Sequence, residues 1–149
     1  MAIAKNISQL ENLVSKKIYD AMKLTENIIF VEMKEWIDLY YSEYNPKYYR
    51  RTYKMSDSFK DSGIMKDNNG FYFQIGFDDD YLTFTYNTKS GFTGLNVLQA
   101  MESRTHGYTA VADNPHAHWT EGLNRINTKY GNISELFKTQ LRNVGLNIL

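Results

Sequence analysis

The chain predicts an α+β fold, in which a long N-terminal helix and C-terminal helices pack on a small antiparallel β-sheet. Three observations carry this. From Ile7 to Tyr40 apolar residues recur at helical spacing with no proline or glycine between them. Aromatic residues then alternate with polar ones over 71–77 and again over 81–86. Near the C-terminus a capped, apolar-periodic stretch over 133–144 is followed by Gly145.

The first helix is predicted over 7–44. Its inward stripe is Ile7, Leu10, Val14, Ile18, Ala21, Ile28 or Ile29, Met33, Trp36 or Ile37, and Tyr40. Asn6 or Ser8 can cap its start. Pro46 drives Asn45 out of the helical region, so the helix ends by Tyr44. At 1.5 Å per residue it is roughly 55 Å long, more than a small domain spans. It therefore overhangs its own domain or packs on a neighbouring subunit. Thr25–Asn27, with the weakest helix formers, is the place for a bend.

Lys47–Phe59 reads as a short helix or an irregular arm, and the turn-rich Asp61–Gly70 as a loop. The alternating runs predict a hairpin over 71–86, turned by Asp78-Asp79-Asp80, with Phe71, Phe73, Ile75 and Phe77 on one face. Two strands alone are marginal, so helices must cover that face. Thr93 can cap a helix over 93–102. The residues 103–120 show no period and carry all three histidines. A helical or irregular stretch follows around Trp119–Ile126. The last helix, 133–144, takes its cap from Asn132 or Ser134, buries Leu136, Phe137, Leu141 and Val144, and ends at Gly145 in the C′ position.

A length of 149 residues suits a single domain, 1–149, whose core needs no staples. The absence of cysteine excludes disulfides and thiolate metal sites. Lys+Arg and Asp+Glu are both 17, so the formal charge is zero, which disfavours nucleic acid and a polybasic membrane surface as partners. The longest nearly apolar run, Ile28–Val31, is too short to span a bilayer. Met1–Asn6 lacks a signal-peptide core, so the expected product is intracellular.

No catalytic motif emerges. His116-Ala117-His118, with Asp113 and His106 nearby, is a metal-ligand pair only on a strand, and here it follows Asn114-Pro115 in a loop. Three adjacent acids at 78–80 lack the glycine and distal glutamate of a calcium loop and read as a solvated turn. Gly91-Phe92-Thr93-Gly94 lacks the lysine of a phosphate loop, and no G-x-S-x-G elbow exists. The expectation is a protein that is not an enzyme and takes no cofactor or metal.

The most informative stretch lies between Tyr40 and Tyr53, which holds six of the twelve tyrosines. It admits three readings. The tyrosines can cover the rim of the core. Tyr and Arg can anchor a protein interface. Bases can stack on the rings while Lys47, Arg50, Arg51 and Lys54 hold phosphates. Neutral net charge weighs against the last. The expected protein-interface residues are Trp36, Tyr40, Tyr44, Tyr48, Tyr49, Arg50, Arg51 and Tyr53.

Tyr44-Asn45-Pro46-Lys47-Tyr48-Tyr49-Arg50-Arg51-Thr52, followed by Met55-Ser56-Asp57-Ser58-Phe59, resembles a motif of the tail-completion, or head–tail joining, proteins of tailed bacteriophages of Gram-positive hosts. The order of long helix, motif, aromatic strands and terminal helix is similar too. Two departures stand out. Those proteins commonly carry glycine after Arg-Thr, where this chain has Tyr53, and their glycine- and histidine-rich loop is matched only by His106-Gly107-Tyr108. The resemblance implies an α+β virion protein, present in the host cytoplasm during assembly. It would form a homo-oligomeric ring and contact phage connector or adaptor and tail-tube proteins. The alternative function is a small phage-encoded binding module or inhibitor directed at a host protein or single-stranded nucleic acid.

Overall fold

A computed structural model describes residues 5–43, 53–83, 85–87, 92–94, 96, 98–99 and 118–146. The fold is α+β, organised around one helix. Helix α1 runs unbroken over Ile7–Glu43. Asn6 caps it, its Oδ1 accepting the Gln9 N–H at 2.9 Å, while Gln9 Oε1 accepts the Lys5 N–H in return. Thr25, where a bend was expected, is buried within the helix and donates its hydroxyl to the Ala21 carbonyl at 2.9 Å.

The inward stripe of α1 begins later than the periodicity indicates. Ile7 and Leu10 are 76% and 53% exposed, and full burial starts at Ala21. Ile29 rather than Ile28, and Ile37 rather than Trp36, are the buried members of the two ambiguous pairs. The reason lies in what α1 has to pack against. Helices α3 (His118–Tyr130) and α4 (Ile133–Asn143) lie on it, and the C-terminal end of α4 meets it at Lys17. There Lys17 Nζ donates to the Val144 carbonyl at 2.6 Å and to that of Gly145 at 3.1 Å. A cation thus sits on the helix end where orphan carbonyls and the dipole favour one. The first turns of α1, residues 7–12, are exposed throughout.

Helix α4 is capped as its sequence requires. Asn132 Oδ1 accepts the Glu135 N–H at 2.9 Å. Gly145, at φ 80°, closes the other end, with Leu146 N–H bonded to the Leu141 carbonyl and Gly145 N–H to that of Arg142. This is the paired bonding of a Schellman motif.

The β-structure differs from the expected 71–86 hairpin. Strands β1 (Phe59–Asp61) and β4 (Ile75–Phe77) are antiparallel, with Phe59 opposite Phe77 and Asp61 opposite Ile75. Strands β2 (Met65–Asp67) and β3 (Gly70–Tyr72) pair Met65 with Tyr72 and Asp67 with Gly70. The paired residue numbers sum to 136 in the first ladder and to 137 in the second. The two are therefore one long hairpin, with a single extra residue on the first strand between Ser62 and Met65. Gly63, at φ 65°, supplies the left-handed residue that such a bulge needs.

The segment 61–70, expected to be a loop, is thus largely one arm of the hairpin. Its Asn68-Asn69 turn is held by Asp67 Oδ1, which accepts the N–H groups of Asn69 and Gly70 at 2.7 and 3.0 Å. The face of Phe71, Phe73, Ile75 and Phe77 is kept, but its partner strand lies upstream. Downstream, Asp78 Oδ1 accepts the Tyr81 N–H, and Tyr81–Thr83 forms a 3-10 turn whose Leu82 is fully buried. Thr85–Asn87 (β5) pairs instead with Phe92–Thr93 (β6).

Thr93 caps a helical segment as expected. Its Oγ1 accepts the Asn96 N–H at 3.3 Å, and Asn96 Oδ1 accepts the Thr93 N–H at 3.1 Å. Gly94, Asn96, Leu98 and Gln99 are helical, while 95, 97 and 100–102 lie outside the described residues.

The core gathers Ile29, Met33 and Ile37 of α1, Met55, Phe59, Ile126 and Leu136. Phe30 stacks on Phe59 at 5.2 Å, and Phe59 meets Phe77 edge-on at the same distance. Toward the other end of the ribbon Phe71 meets Tyr19 edge-on at 5.8 Å. The helix is thereby flanked by the β-ribbon on one side and by α3 and α4 on the other.

Candidate protein-interaction site

The site is built where α1 ends and the chain returns at Tyr53. Helix α2 (Lys54–Ser58) is one short turn with Met55, Ser56 and Ser58 buried. It is fastened to α1 by a polar cluster. Lys34 Nζ donates to the Ser56 carbonyl at 2.8 Å and also to Ser56 Oγ. Ser56 Oγ in turn donates to Asp38 Oδ1 at 2.9 Å, and Lys34 and Asp38, one helical turn apart, lie 3.6 Å from each other. Lys34 and Asp38 stay solvent-accessible while the serine hydroxyl is buried. Each of the three side chains has a partner within the cluster, which ties α2 to α1 and so acts as a fastener.

That fastener sets the position of Tyr53. Its backbone lies in the left-handed region, φ 56° and ψ 5°, the one such non-glycine residue among those described. The Asp57 N–H bonds to its carbonyl at 3.0 Å. Its ring is 51% exposed and packs against Tyr41. A left-handed tyrosine costs about 1–2 kcal/mol relative to ordinary backbone. Glycine would adopt this conformation without that cost.

Of the other expected interface residues, Trp36 is half-buried on α1 and Tyr40 belongs to the same helix. Tyr44, Tyr48, Tyr49, Arg50 and Arg51 lie outside the described residues. Sequence reasoning missed Tyr41, whose ring supports Tyr53, and the Lys34–Asp38–Ser56 cluster. The Lys34/Asp38 spacing was a visible signal, but only the fold brings Ser56 to it.

Behind this site a second polar cluster joins α1 to α3. Glu32, almost fully buried, accepts from Arg125 Nε at 3.0 Å, from the Tyr130 hydroxyl at 3.0 Å and from Lys129 Nζ. Arg125 Nη2 reaches on to Glu35 at 2.9 Å. Burial alone pushes the Glu32 carboxyl up, yet the hydrogen bonds from Lys129 and Tyr130, with the charges of Lys129 and Arg125, more than reverse this and leave it below the usual range. Glu26 is the opposite case. It is 7% exposed, no hydrogen-bond partner is present for its Oε1, and burial with the nearby Asp61 charge raises its pKa against the smaller effects of Lys23 and the Gly63 amide.

The remaining candidates assemble nothing comparable. Asp78 pairs with Lys60 at 2.7 Å and caps the 3-10 turn. His118 opens α3, while His106, Asp113 and His116 lie outside the described residues. Among the described residues no cluster of three or more His, Cys, Asp or Glu could hold a metal ion, and no helix is long and apolar enough to cross a membrane.

No curated protein and no solved structure matches the chain significantly. A protein-family profile, YomN, matches residues 6–143, from the cap of α1 to the end of α4. YomN is a family of the Bacillus phage SPBc2 type, which points to a phage-derived protein. With nearly all of its length matched, this chain belongs to the YomN family.

Proposed function

We propose that this phage-family protein is a non-enzymatic structural or assembly protein at the head–tail junction, a tail-completion or connector-ring subunit acting through protein–protein contacts. Tyr53 carries the reading. A costly backbone conformation, next to a polar fastener built on the buried Ser56, presents a half-exposed aromatic ring at the end of the Tyr/Arg-rich stretch of sequence. Strain kept in a native structure, where glycine would relieve it, is characteristic of a residue retained for what its side chain does. Tyrosine and arginine are also the side chains enriched at interface hot spots. The exposed first turns of α1, with Ile7 and Leu10 in solvent, offer a second surface to a neighbour. Two different surfaces on one subunit suit heterologous contacts, which close into a ring when the rotation per subunit divides the circle. The partners in this reading are further copies, the connector or adaptor proteins and the tail tube.

The test is complementation of a phage lacking this gene with a Tyr49→Ala, Arg50→Glu double variant. The expected outcome is folded protein, filled heads and few joined tails by electron microscopy. Infectious particles at the normal yield would end the assignment.

A further inference from the structure

The two arms of the β-ribbon differ in a way that the head–tail reading does not use. The first arm, Phe59–Asp67, carries four charges: Lys60, Asp61, Lys66 and Asp67. The second, Gly70–Phe77, carries none and reads Gly-Phe-Tyr-Phe-Gln-Ile-Gly-Phe. Exposed strand edges are ordinarily protected by charge or proline, because unpaired N–H and C=O groups invite a further strand. Here one arm has that protection and the other lacks it.

The hydrogen bonds show which groups are on offer. Asp78 N–H bonds to the Ser58 carbonyl at 2.8 Å and Ser62 N–H to the Gln74 carbonyl at 2.9 Å. In an antiparallel ladder such bonded pairs alternate, so the next lies at Lys60–Gly76, and the backbone groups of Ile75 and Phe77 point away from β1. No described strand pairs with that side of β4. Above the ladder, a shallow groove is floored by Gly76 between Lys60, Gln74 and Asp78. A Cβ added to Gly76 would meet no atom within 4 Å.

We propose that two copies of the chain associate by antiparallel strand addition, β4 against β4, around a two-fold axis at Gly76. The occupant is a second copy because β4 itself carries no charge and is flanked by Lys60 and Asp78, a balanced pair that favours no partner of one sign. A proline-free, uncharged and aromatic-rich segment such as Phe71–Phe77 has the composition of strands that pair with their own kind. In this register Ile75 exchanges backbone bonds with Phe77 of the other copy, and Gly76 faces Gly76. That pair is the close, non-hydrogen-bonded kind, with Cα atoms about 4.5 Å apart. Without side chains there, the sheets can join at no steric cost, and the two ribbons become one four-stranded sheet with charged outer strands. The contact is isologous and closes at two copies. It stands or fails independently of the head–tail reading.

Sedimentation of the purified full chain over a concentration series tests it, with Gly76→Lys and Gly76→Cys as probes. The wild type should shift from monomer to dimer. Gly76→Lys should lose the dimer, since like charges would face each other directly, with an unchanged circular dichroism spectrum. The chain has no cysteine of its own, so mild oxidation of Gly76→Cys should give a clean covalent dimer, while Lys60→Cys on the other strand should give little. A wild type that remains monomeric throughout, a Gly76→Lys protein that dimerises normally, or Lys60→Cys cross-linking as readily as Gly76→Cys would each overturn the proposal.

Discussion

The ring of Tyr53 lies 5.0 Å from that of Tyr41 and is tilted 39° to it, so an unfavourable backbone conformation is held beneath a favourable aromatic contact. The two effects are of similar size. Left-handed tyrosine costs about 1–2 kcal/mol, and an aromatic pair contributes about 0.5–1.5 kcal/mol. Tyr53→Gly removes both, so its thermal stability should stay within about 1 kcal/mol of the wild type. Tyr53→Ala keeps the strain and loses the contact, and should be the less stable of the two. If Tyr53 is an interface anchor, the glycine variant should melt normally yet fail to support assembly. Normal particle yield from that variant would remove Tyr53 from the interface.

Glu32 should be the most sensitive acid for stability. Its carboxyl is nearly buried and its pKa is depressed on folding, so the folded state binds its proton less readily than the unfolded chain. The stabilisation is therefore present above the ordinary carboxylate range and is lost as pH falls through the lowered folded value. Glu32→Ala should cost about 1–3 kcal/mol near neutral pH, because it leaves three donors without their shared acceptor. In denaturant titrations at several pH values, that cost should shrink at low pH. A cost that is independent of pH would show that packing, rather than the charge, matters there.

Glu26 predicts the opposite sign. Its folded pKa is raised by burial and by the charge of Asp61, so between the ordinary carboxylate value and the raised one the folded state holds more protons than the unfolded. Stability from this site accordingly falls as pH rises through that window. Glu26→Gln should stabilise the protein at neutral pH by roughly 1 kcal/mol, with the gain vanishing in acid. Parallel unfolding curves of the two proteins at neutral and acidic pH would show it, and a destabilised Gln variant at neutral pH would refute it.

Gly122 marks the close approach of α3 to α1. A Cβ at this position would lie 2.4 Å from Met33 Sδ and 3.1 Å from its Cε. Met33 is only 2% exposed, so the thioether cannot move aside without displacing its core neighbours. Gly122→Ala should therefore destabilise by about 1–2 kcal/mol despite the better helix propensity of alanine. Met33→Ala should cost more alone, and the double variant less than the sum, because the second change fills space vacated by the first. Strict additivity would argue against the contact.

The helices were legible in the sequence because each had several independent signals. The α1 pattern persists over ten turns, and α4 has Asn132, Glu135 and Gly145 at the positions that cap and close a helix. The hairpin was not, for a physical reason. Its first arm carries four charges and a bulge, so the alternation that identifies a strand is broken there, whereas the tyrosine- and threonine-rich 81–86 alternates without pairing to 71–77. Asp67-Asn68-Asn69-Gly70 was recognisable as a turn, but not as the turn of that hairpin. At the candidate site, the aromatic–arginine composition was visible. The conformation of Tyr53 and the fastener next to it were not, because residues 34, 38 and 56 meet only in three dimensions.

The central place of α1 also sets the order in which the protein can be made. Its covering partners come from the far end of the chain. Glu32 meets Arg125 across 93 positions, and Lys17 meets Val144 across 127. Helix α1 leaves the ribosome before α3 and α4 and waits for them on the order of ten seconds at ordinary rates of synthesis. Throughout that interval the face of Ala21, Ile29, Met33 and Ile37 lacks its α3 and α4 neighbours. Its solubility on the ribosome then draws on exposed charges of the same helix such as Glu11, Lys16 and Lys23, so neutralising those three should reduce the yield of soluble protein more than it alters the stability of the finished fold.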